Sequence, residues 1–345
     1  MFGFRPRYYG VANFSMFFLV ILAIESLLMI SAVSKFGFEA MSRSGDGPEY
    51  MEFAMRLESG DYPYPHFPMY AVLIRAASIV FPLSAAAILV SVVAYLLTTV
   101  VFWKTSAHSC FAGGMFLPLL MSVYPPTLLV YSISPVADAT AVFFTALTYY
   151  FLISRREKSM LLSSMLAVAS HYMAMLAWPG IIYYFFRKNL REIPKAILTV
   201  LPSALLSCYQ YVVRGNLFFY LSVHEGYWSA RGGILSYPFA AIPYVVSNFG
   251  LFSVALLLST YVVYVIGLVL VVKRRENETI TFSILYVAFI IMLSPKGFYF
   301  VPRFAAYAFP LILAFGNLKQ RALTAGFLSV SAVSIAYAFY RVLFL

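Results

Sequence analysis

The sequence is poor in charged residues. Asp, Glu, Lys and Arg make up 11% of its 345 residues, whereas hydrophobic residues make up 62%. A soluble domain carries about 25% charged residues, because charge solvates its surface. This chain has no long polar stretch either, so lipid must cover much of its exterior. The composition argues against a separate soluble domain and predicts a single membrane domain over residues 1–345.

Cysteine is also scarce, with two residues in the chain. Cys110 and Cys208 both lie in apolar surroundings, and their spacing is not that of metal ligands. We therefore expect two buried thiols rather than a disulfide.

The net charge of +11 does not indicate a nucleic-acid partner. The basic residues sit mainly in short clusters between apolar segments, at positions 155–158, 187–195, 273–275 and 319–321. This is the positive-inside pattern of membrane proteins, in which such clusters mark cytoplasmic loops. The clusters predict a cytoplasmic amino terminus and exclude a basic nucleic-acid groove.

Apolar runs predict an all-α, polytopic membrane protein with about eleven transmembrane helices. The charge rule places residues 34–82 and 214–249 outside, as a first and a second extracytoplasmic loop, with residues 66–82 and 237–249 as helices lying in the outer interface. Residues 159–186 lie between two basic loops, which predicts two short helices that turn near His171. The predicted spans are residues 12–33, 84–103, 110–124, 136–153, 159–170, 171–186, 196–213, 250–272, 279–294, 303–317 and 322–343.

The first extracytoplasmic loop is rich in acids. Carboxylates at a membrane surface can act as a general base or bind a divalent metal. Tyr50, Phe53, Ala54 and Leu57 form an apolar stripe at helical spacing, which predicts a short amphipathic helix. Six of the chain's 13 acidic residues lie between positions 34 and 65: Glu39, Asp46, Glu49, Glu52, Glu58 and Asp61.

The same acids have an alternative structural explanation. Asp46 stands three residues before Glu49, a spacing that resembles a capping box. Asp46 would then only cap the helix, and the other acids would form a solvated face. The spacing alone leaves both interpretations open.

Three stretches resemble the GT-C superfamily of polyprenyl-phosphate-sugar-dependent glycosyltransferases. Residues 45–70 contain an acid, a Tyr, an Ala, then Gly and Pro-Tyr before a proline-led helix, as in the first external loop of that family. Residues 132–138 open a span as a similar segment does there. Residues 302–310 resemble the late Pro-Arg-aromatic…Pro motif of the branch that includes the GPI mannosyltransferase PIG-V. The sequence departs from the family in lacking a clear Asp-Xaa-Asp, and in holding His171-Tyr172 where relatives often carry an Arg.

The resemblance implies an inverting hexosyltransferase. It would move a sugar, with a mannose-like hexose favoured, from a polyprenyl or dolichyl phosphate to a lipid-linked or glycan acceptor on the extracytoplasmic face. Asp46 and Glu49 would be the catalytic carboxylates, and they would hold Mg²⁺ or Mn²⁺ if the enzyme uses a metal. Arg303 would bind the donor phosphate, although an Arg at the end of a span can instead snorkel to the interface. Weaker substrate contacts are predicted at Tyr50, Tyr64, His66, Asp138, His171, Trp228 and Arg231.

Two other functions remain open at this level. A multi-pass transporter or lipid flippase would need polar residues along a path through the midplane. A non-catalytic membrane subunit would explain the topology but would give the acidic loop no role. The predicted spans hold few ionisable residues besides Glu25, and the acids cluster on one external loop, so surface chemistry is favoured.

Overall fold

The computed structural model describes residues 11–57, 59, 66–109, 116–125, 127–217, 219, 238–248, 251–293, 300–317, 326 and 329–339. The helices Leu83–His108, Asp138–Ile153 and Glu157–Ser170 pack together at the centre, and the helix Asn277–Ile291 packs against Trp178–Lys188 and Leu251–Arg274 beside them. Segments of 3₁₀ helix cover Tyr172–Ala177, Leu190–Val200, Ala306–Ala308 and Ala314–Asn317. The α-helices are α1 (Val11–Phe36), α2 (Phe38–Ser42), α3 (Gly47–Arg56), α4 (Pro68–Ala77), α5 (Leu83–His108), α6 (Phe116–Val123), α7 (Thr127–Ser132), α8 (Asp138–Ile153), α9 (Glu157–Ser170), α10 (Trp178–Lys188), α11 (Leu201–Arg214), α12 (Ala241–Asn248), α13 (Leu251–Arg274), α14 (Asn277–Ile291), α15 (Phe300–Ala305), α16 (Pro310–Leu313) and α17 (Ser329–Phe339).

The chain is an all-helical, multi-pass membrane protein. Within the described residues, four helical stretches are long and apolar enough to cross a bilayer: Asn13–Phe36, Leu83–His108, Leu190–Arg214 and Ser253–Arg274. Shorter apolar helices, including α8 and α14, complete the bundle. The predicted all-α membrane fold is confirmed, whereas the number of spans stays a prediction.

The predicted span 303–317 is wrong as a single continuous helix. Residues 300–317 are instead divided among α15, a 3₁₀ turn, α16 and a second 3₁₀ turn. Pro310 begins α16 and has no N–H with which to continue the preceding turn. The described side chains from Val301 to Ala314 are almost all buried, so protein rather than lipid surrounds the irregular backbone. Broken helices are tolerated at membrane depth under that condition.

The predicted amphipathic helix of the first loop is confirmed as α3. Its buried face consists of Tyr50, Phe53 and Ala54, as the periodicity indicates. These side chains pack with α4 and the first turns of α5 into a small apolar cluster beside the main core. The cluster fixes α3 to the end of the bundle at which α5 begins.

The predicted turn at His171 is also confirmed. α9 ends at Ser170, and His171 adopts an extended conformation with φ −161° and ψ 138°. The chain then returns through a 3₁₀ segment into α10. His171 therefore lies at the tip of a helical hairpin whose two outer ends carry the basic clusters.

One thiol differs from the sequence expectation. Cys208 on α11 is exposed rather than buried. Its neighbours Leu205 and Val212 are exposed too, which is the composition of a lipid-facing surface. Cys110 lies outside the described residues.

Charged side chains lie at both ends of α8. At its carboxyl end, Arg155 contacts Glu278 at 2.7 Å, and Lys188 contacts Glu157 at 2.5 Å. Asp138 begins the helix at the other end. Sixteen residues of α-helix span about 24 Å, which approaches the roughly 30 Å of a hydrocarbon core. The bundle thus has two polar ends, and we expect the end with the basic clusters to be cytoplasmic.

We predict that Ser59, in the first loop, is accessible from outside the cell and that Lys158, at the opposite end, is not. Ser59→Cys and Lys158→Cys would be made in a background in which Ser replaces both native cysteines. A membrane-impermeant maleimide should label the first variant in intact cells and the second only after permeabilisation. If Lys158→Cys were labelled in intact cells and Ser59→Cys only after permeabilisation, the proposed orientation would be reversed.

Candidate active site

A buried ion pair joins two distant parts of the chain. The Arg303 guanidinium donates from Nε to Asp138 Oδ1 at 2.9 Å and from Nη2 to Asp138 Oδ2 at 2.6 Å. The Asp138 side chain is 3% exposed, and that of Arg303 is 11% exposed. Two parallel N–H···O bonds are the strongest geometry for this pair of groups. Asp138 also lies in the first turn of α8, where the helix dipole favours a negative charge.

Asp46 approaches the same guanidinium from the first loop. Its Oδ2 lies 3.9 Å from Arg303 Nη2, and its side chain is 18% exposed. Asp46 is therefore nearer to solvent than Asp138 and less tightly held. The structure brings together two carboxylates and one guanidinium from three separate segments.

Two glycines allow this approach. Gly45 has a φ of +56°, a left-handed conformation that glycine adopts without strain. A Cβ on Gly47 would lie 2.4 Å from Pro135 Cγ and 2.4 Å from the Ser42 carbonyl oxygen. The Asp46 turn thus packs closely against the turn that leads into α8. This contact places Asp46 near Asp138.

The capping interpretation of Asp46 is wrong. Asp46 holds the N-cap position of α3, but its side chain makes no capping hydrogen bond. The carboxylate contacts Arg303 instead. The sequence spacing is that of a cap, but the attraction to a buried cation directs the side chain elsewhere.

Arg303 does not snorkel to a polar interface. The centre of its guanidinium lies 5.2 Å from the ring of Tyr131 and 5.8 Å from the ring of Phe304. Aromatic faces attract cations at these distances, and more strongly where water is excluded. The guanidinium therefore lies in poorly hydrated, aromatic surroundings.

Glu49 has a different partner from Asp46. Its Oε2 contacts His66 Nε2, and the His66 ring stacks on Tyr50 with 4.4 Å between ring centroids. The hydrogen bond from His66 lowers the pKa of Glu49, partial burial opposes that shift, and the charge of His66 adds to it. Tyr50 in turn meets Tyr70 edge-to-face at 4.9 Å. The predicted residues Glu49, Tyr50 and His66 form one cluster between α3 and the segment that leads into α4.

The donor set does not favour the predicted metal site at Asp46 and Glu49. One carboxylate faces Arg303 and the other is engaged by His66. Across the part of the chain that the structure describes, no group of three or more His, Cys, Asp or Glu side chains could hold a metal ion.

His171 lies in the same neighbourhood as Arg303. Its ring stacks on Tyr172 at 4.5 Å and lies 6.1 Å from the ring of Phe304. His171 Nδ1 accepts a hydrogen bond from the Met173 backbone N–H at 3.2 Å, which assigns the hydrogen of the neutral ring to Nε2. The hairpin thus carries a histidine to the end of the bundle at which Asp138 lies.

Sequence reasoning missed two aromatic residues of this site. Tyr131 precedes the second motif by one residue and packs under Arg303. Tyr307 lies within the third motif, and its buried hydroxyl has no hydrogen-bond partner among the described residues. An unsatisfied buried hydroxyl is a signal that only three-dimensional structure supplies. The predicted contacts Tyr64, Trp228 and Arg231 lie outside the described residues.

Comparison with known proteins identifies a fold but no sequence family. No family model matches the chain, and no curated protein matches it significantly. ArnT from Cupriavidus metallidurans, whose crystal structure was solved with bound undecaprenyl phosphate, is similar with a TM-score of 0.56 and 15% sequence identity. The match covers 91% of this chain. The chain has a GT-C-like membrane fold.

That likeness concerns the fold alone, because the identity is low. The match covers 63% of the ArnT chain. The GT-C resemblance drawn from the three motifs is therefore confirmed at the level of architecture. The finer resemblance to the PIG-V branch remains a prediction.

We predict that the ion pair is a structural unit. Arg303→Ala and Asp138→Ala should each lower the free energy of unfolding by about 3–5 kcal/mol, because each removes the hydrogen-bonded partner of a buried charge. The double variant should lose less than the sum of the two, since neither charge remains. Thermal unfolding of the purified protein in lipid would measure all three.

Arg155→Ala is the matched control. It breaks an ion pair at the opposite end in which the Arg side chain is 57% exposed, so about 0–1 kcal/mol is expected. Small, additive effects at Arg303 and Asp138 would contradict the proposed unit.

Proposed function

We propose that the chain is a membrane glycosyltransferase that takes a sugar from a polyprenyl-phosphate donor on the extracytoplasmic face. The observation that carries this proposal is the meeting of Asp46, Asp138 and Arg303 at one end of the bundle. Its fold is shared with ArnT, which was solved with undecaprenyl phosphate bound. The cytoplasmic amino terminus and the external site belong to the same proposal, supported by the basic clusters at the other end.

The two aspartates have different roles in this mechanism. Asp138 is buried and makes two short hydrogen bonds to Arg303, so it orients the guanidinium. Asp46 is more exposed and makes only a longer contact, so it is the carboxylate available to a substrate. Asp46 therefore acts as the general base, and Asp138 is a positioning residue.

The proposed reaction is a single inverting displacement. The acceptor hydroxyl gives its proton to Asp46, and its oxygen attacks the anomeric carbon. The bond from that carbon to the donor phosphate breaks, and its electron pair stays on the phosphate oxygen. Arg303 stabilises the charge that develops there, in surroundings where water does not screen it.

Charge balance supports the pairing of Asp46 with Arg303. As the sugar leaves, the phosphate gains about one negative charge. Asp46 loses one negative charge at the same time, because it receives the proton. The total charge facing Arg303 thus stays nearly constant along the reaction, which keeps the barrier low in a poorly hydrated site.

A surface groove of about 970 Å³ suggests how the acceptor approaches. Arg43 and Pro48, which flank the Asp46 turn, both belong to its wall, so we propose that the acceptor lies along it. Tyr50, His66 and His171 remain proposed substrate contacts. The groove is lined by Glu39, Ser42, Arg43, Pro48, Met51, Glu52, Met55, Arg56, Leu83 and Ser84.

The finer specificity rests on the motif resemblance alone. We propose a mannose-like hexose, a dolichyl or other polyprenyl phosphate as carrier, and a lipid-linked or glycan acceptor. The proposed mechanism routes no step through Mg²⁺ or Mn²⁺, since Arg303 takes the charge of the phosphate.

A donor panel tests the proposed function. Purified protein in lipid would be given radiolabelled mannose, glucose or a pentose on polyprenyl phosphate, with total membrane lipid and glycan as acceptors. We expect transfer from at least one donor, with the label recovered on a new product. Transbilayer movement of the donor without transfer from any of the panel would instead indicate a flippase.

We predict that Asp46→Asn abolishes transfer and leaves the fold intact. A general base contributes on the order of 10²–10⁴-fold in rate. Because Asp46 does not cap α3, the variant should not show the roughly 1 kcal/mol loss of a removed cap.

Glu157→Gln is the control, because it neutralises a carboxylate at the opposite end of the bundle, where no substrate contact is proposed, and it should retain wild-type turnover. Turnover of Asp46→Asn within a few-fold of the wild type would show that Asp46 is not the base.

A further inference from the structure

Glu25 is an acid in the middle of an apolar helix that the proposed mechanism does not use. It lies within α1, and its side chain is 3% exposed. Its Oε2 lies 2.9 Å from Ser132 Oγ, and its Oε1 has no hydrogen-bond partner within the described residues. An ionisable side chain at membrane depth is costly unless it is paired. Glu25 forms no ion pair with any Lys, Arg or His in the described part of the chain.

The hydrogen bonds around Ser132 can be counted. Ser132 Oγ lies 2.5 Å from the Leu129 carbonyl oxygen as well as 2.9 Å from Glu25 Oε2. A hydroxyl has one hydrogen, so it can donate to only one of these two oxygens. If Glu25 were a carboxylate, one of the two short contacts would join acceptors without a hydrogen between them.

If Glu25 is protonated, each of the two short contacts of Ser132 contains one hydrogen. Its Oε2–H then donates to Ser132 Oγ, and Ser132 donates to the Leu129 carbonyl. The remaining Oε1 is a neutral carbonyl oxygen, which is much less costly to bury unpaired than a charged one. The ionisable neighbour on α5 is Tyr95, whose hydroxyl already donates to the Ser122 carbonyl at 3.2 Å. No cation therefore faces Glu25 from α5 or α7 within the described residues.

Ser132, the hydrogen-bond partner of Glu25, is the sequence neighbour of a residue of the candidate active site. Ser132 is the last residue of α7, and Tyr131 immediately before it packs under the Arg303 guanidinium at 5.2 Å. α7 has six residues and lies between α5, α8 and α15. So short a helix gains little stability of its own and depends on outside contacts for its position.

We propose that Glu25 is a neutral carboxylic acid that donates its proton to Ser132 and thereby positions Tyr131 beneath Arg303. The effect on catalysis rests on the proposed glycosyltransferase function, whereas the protonation state does not. Glu25 is a positioning residue, because it acts on the reacting groups through α7.

Infrared difference spectroscopy tests the protonation state without any activity. Wild type and Glu25→Gln would be compared in lipid at neutral pH. The difference spectrum should contain the carbonyl stretch of a protonated carboxylic acid, present in the wild type alone. A carboxylate band in its place would overturn the proposal.

Kinetics of four variants test the positioning. Glu25→Gln keeps a neutral donor for Ser132 and should retain kcat within about twofold. Glu25→Leu and Ser132→Ala lose the hydrogen bond and should lower kcat roughly 10- to 100-fold, since a displacement of about 1 Å can cost that much. Ser134→Ala is the control, because Ser134 likewise donates to a carbonyl one turn back, at 3.0 Å from Val130 O, but does not contact Glu25.

The outcomes separate the two proposals. Equal losses in Glu25→Gln and Glu25→Leu would mean that a carboxylate is required and would overturn the neutral acid. Wild-type kcat in Glu25→Leu and Ser132→Ala, at unchanged thermal stability, would overturn the positioning role. If the wild type transferred no sugar, the proposed function would fail while the infrared result still decided the state of Glu25.

Discussion

The buried pair of Arg303 and Asp138 connects the two halves of the bundle. It joins the start of α8 to the broken helical segment that begins at α15, across 165 positions of sequence. Removing two charges from water is costly, and the attraction between them compensates only with good geometry. Here two parallel hydrogen bonds, the helix start of α8 and two aromatic rings supply that geometry. Asp46, Tyr131 on α7 and the buried side chains from Val301 to Ala314 all meet around this pair.

The irregular course of residues 300–317 has a physical basis in the same pair. A straight transmembrane helix presents its side chains evenly around an axis, so part of its surface would face lipid. The broken segment instead buries its described side chains within the protein, with Arg303 at its amino end. Pro310 interrupts the backbone, and the surrounding helices exclude lipid from the interruption. A cation can therefore be held at the rim of the membrane domain without exposure to hydrocarbon.

Local patterns were readable from the sequence, and distant contacts were not. The period of Tyr50, Phe53 and Ala54 predicted α3, and the paired basic loops predicted the turn at His171, because both signals reside in neighbouring residues. The capping spacing of Asp46 left its role open, since nothing nearby in the sequence shows that a guanidinium lies within reach. The carboxylate partner of Arg303 could not be found either, because 165 residues separate the two. Cys208 shows a related limit: apolar neighbours predict burial, but in a membrane protein they also line the lipid surface.

Burying the Arg303–Asp138 pair costs desolvation free energy. That cost has a purpose if Arg303 stabilises a phosphate charge that appears only during the reaction. A guanidinium free to move would reorganise as the leaving phosphate forms, and that reorganisation would add to the barrier. One already fixed by Asp138 is oriented before the substrate arrives, so the energetic cost falls on folding rather than on the reaction step. Asp138 occupies the Nε–Nη2 edge of the guanidinium, so a phosphate cannot use that edge while the pair is intact. In the proposed mechanism the Arg303–Asp138 hydrogen bonds hold the cation in place, and Asp46 is the carboxylate whose charge changes during the reaction. On this proposal two carboxylates accompany one arginine because Asp138 fixes the guanidinium and Asp46 changes its charge beside it.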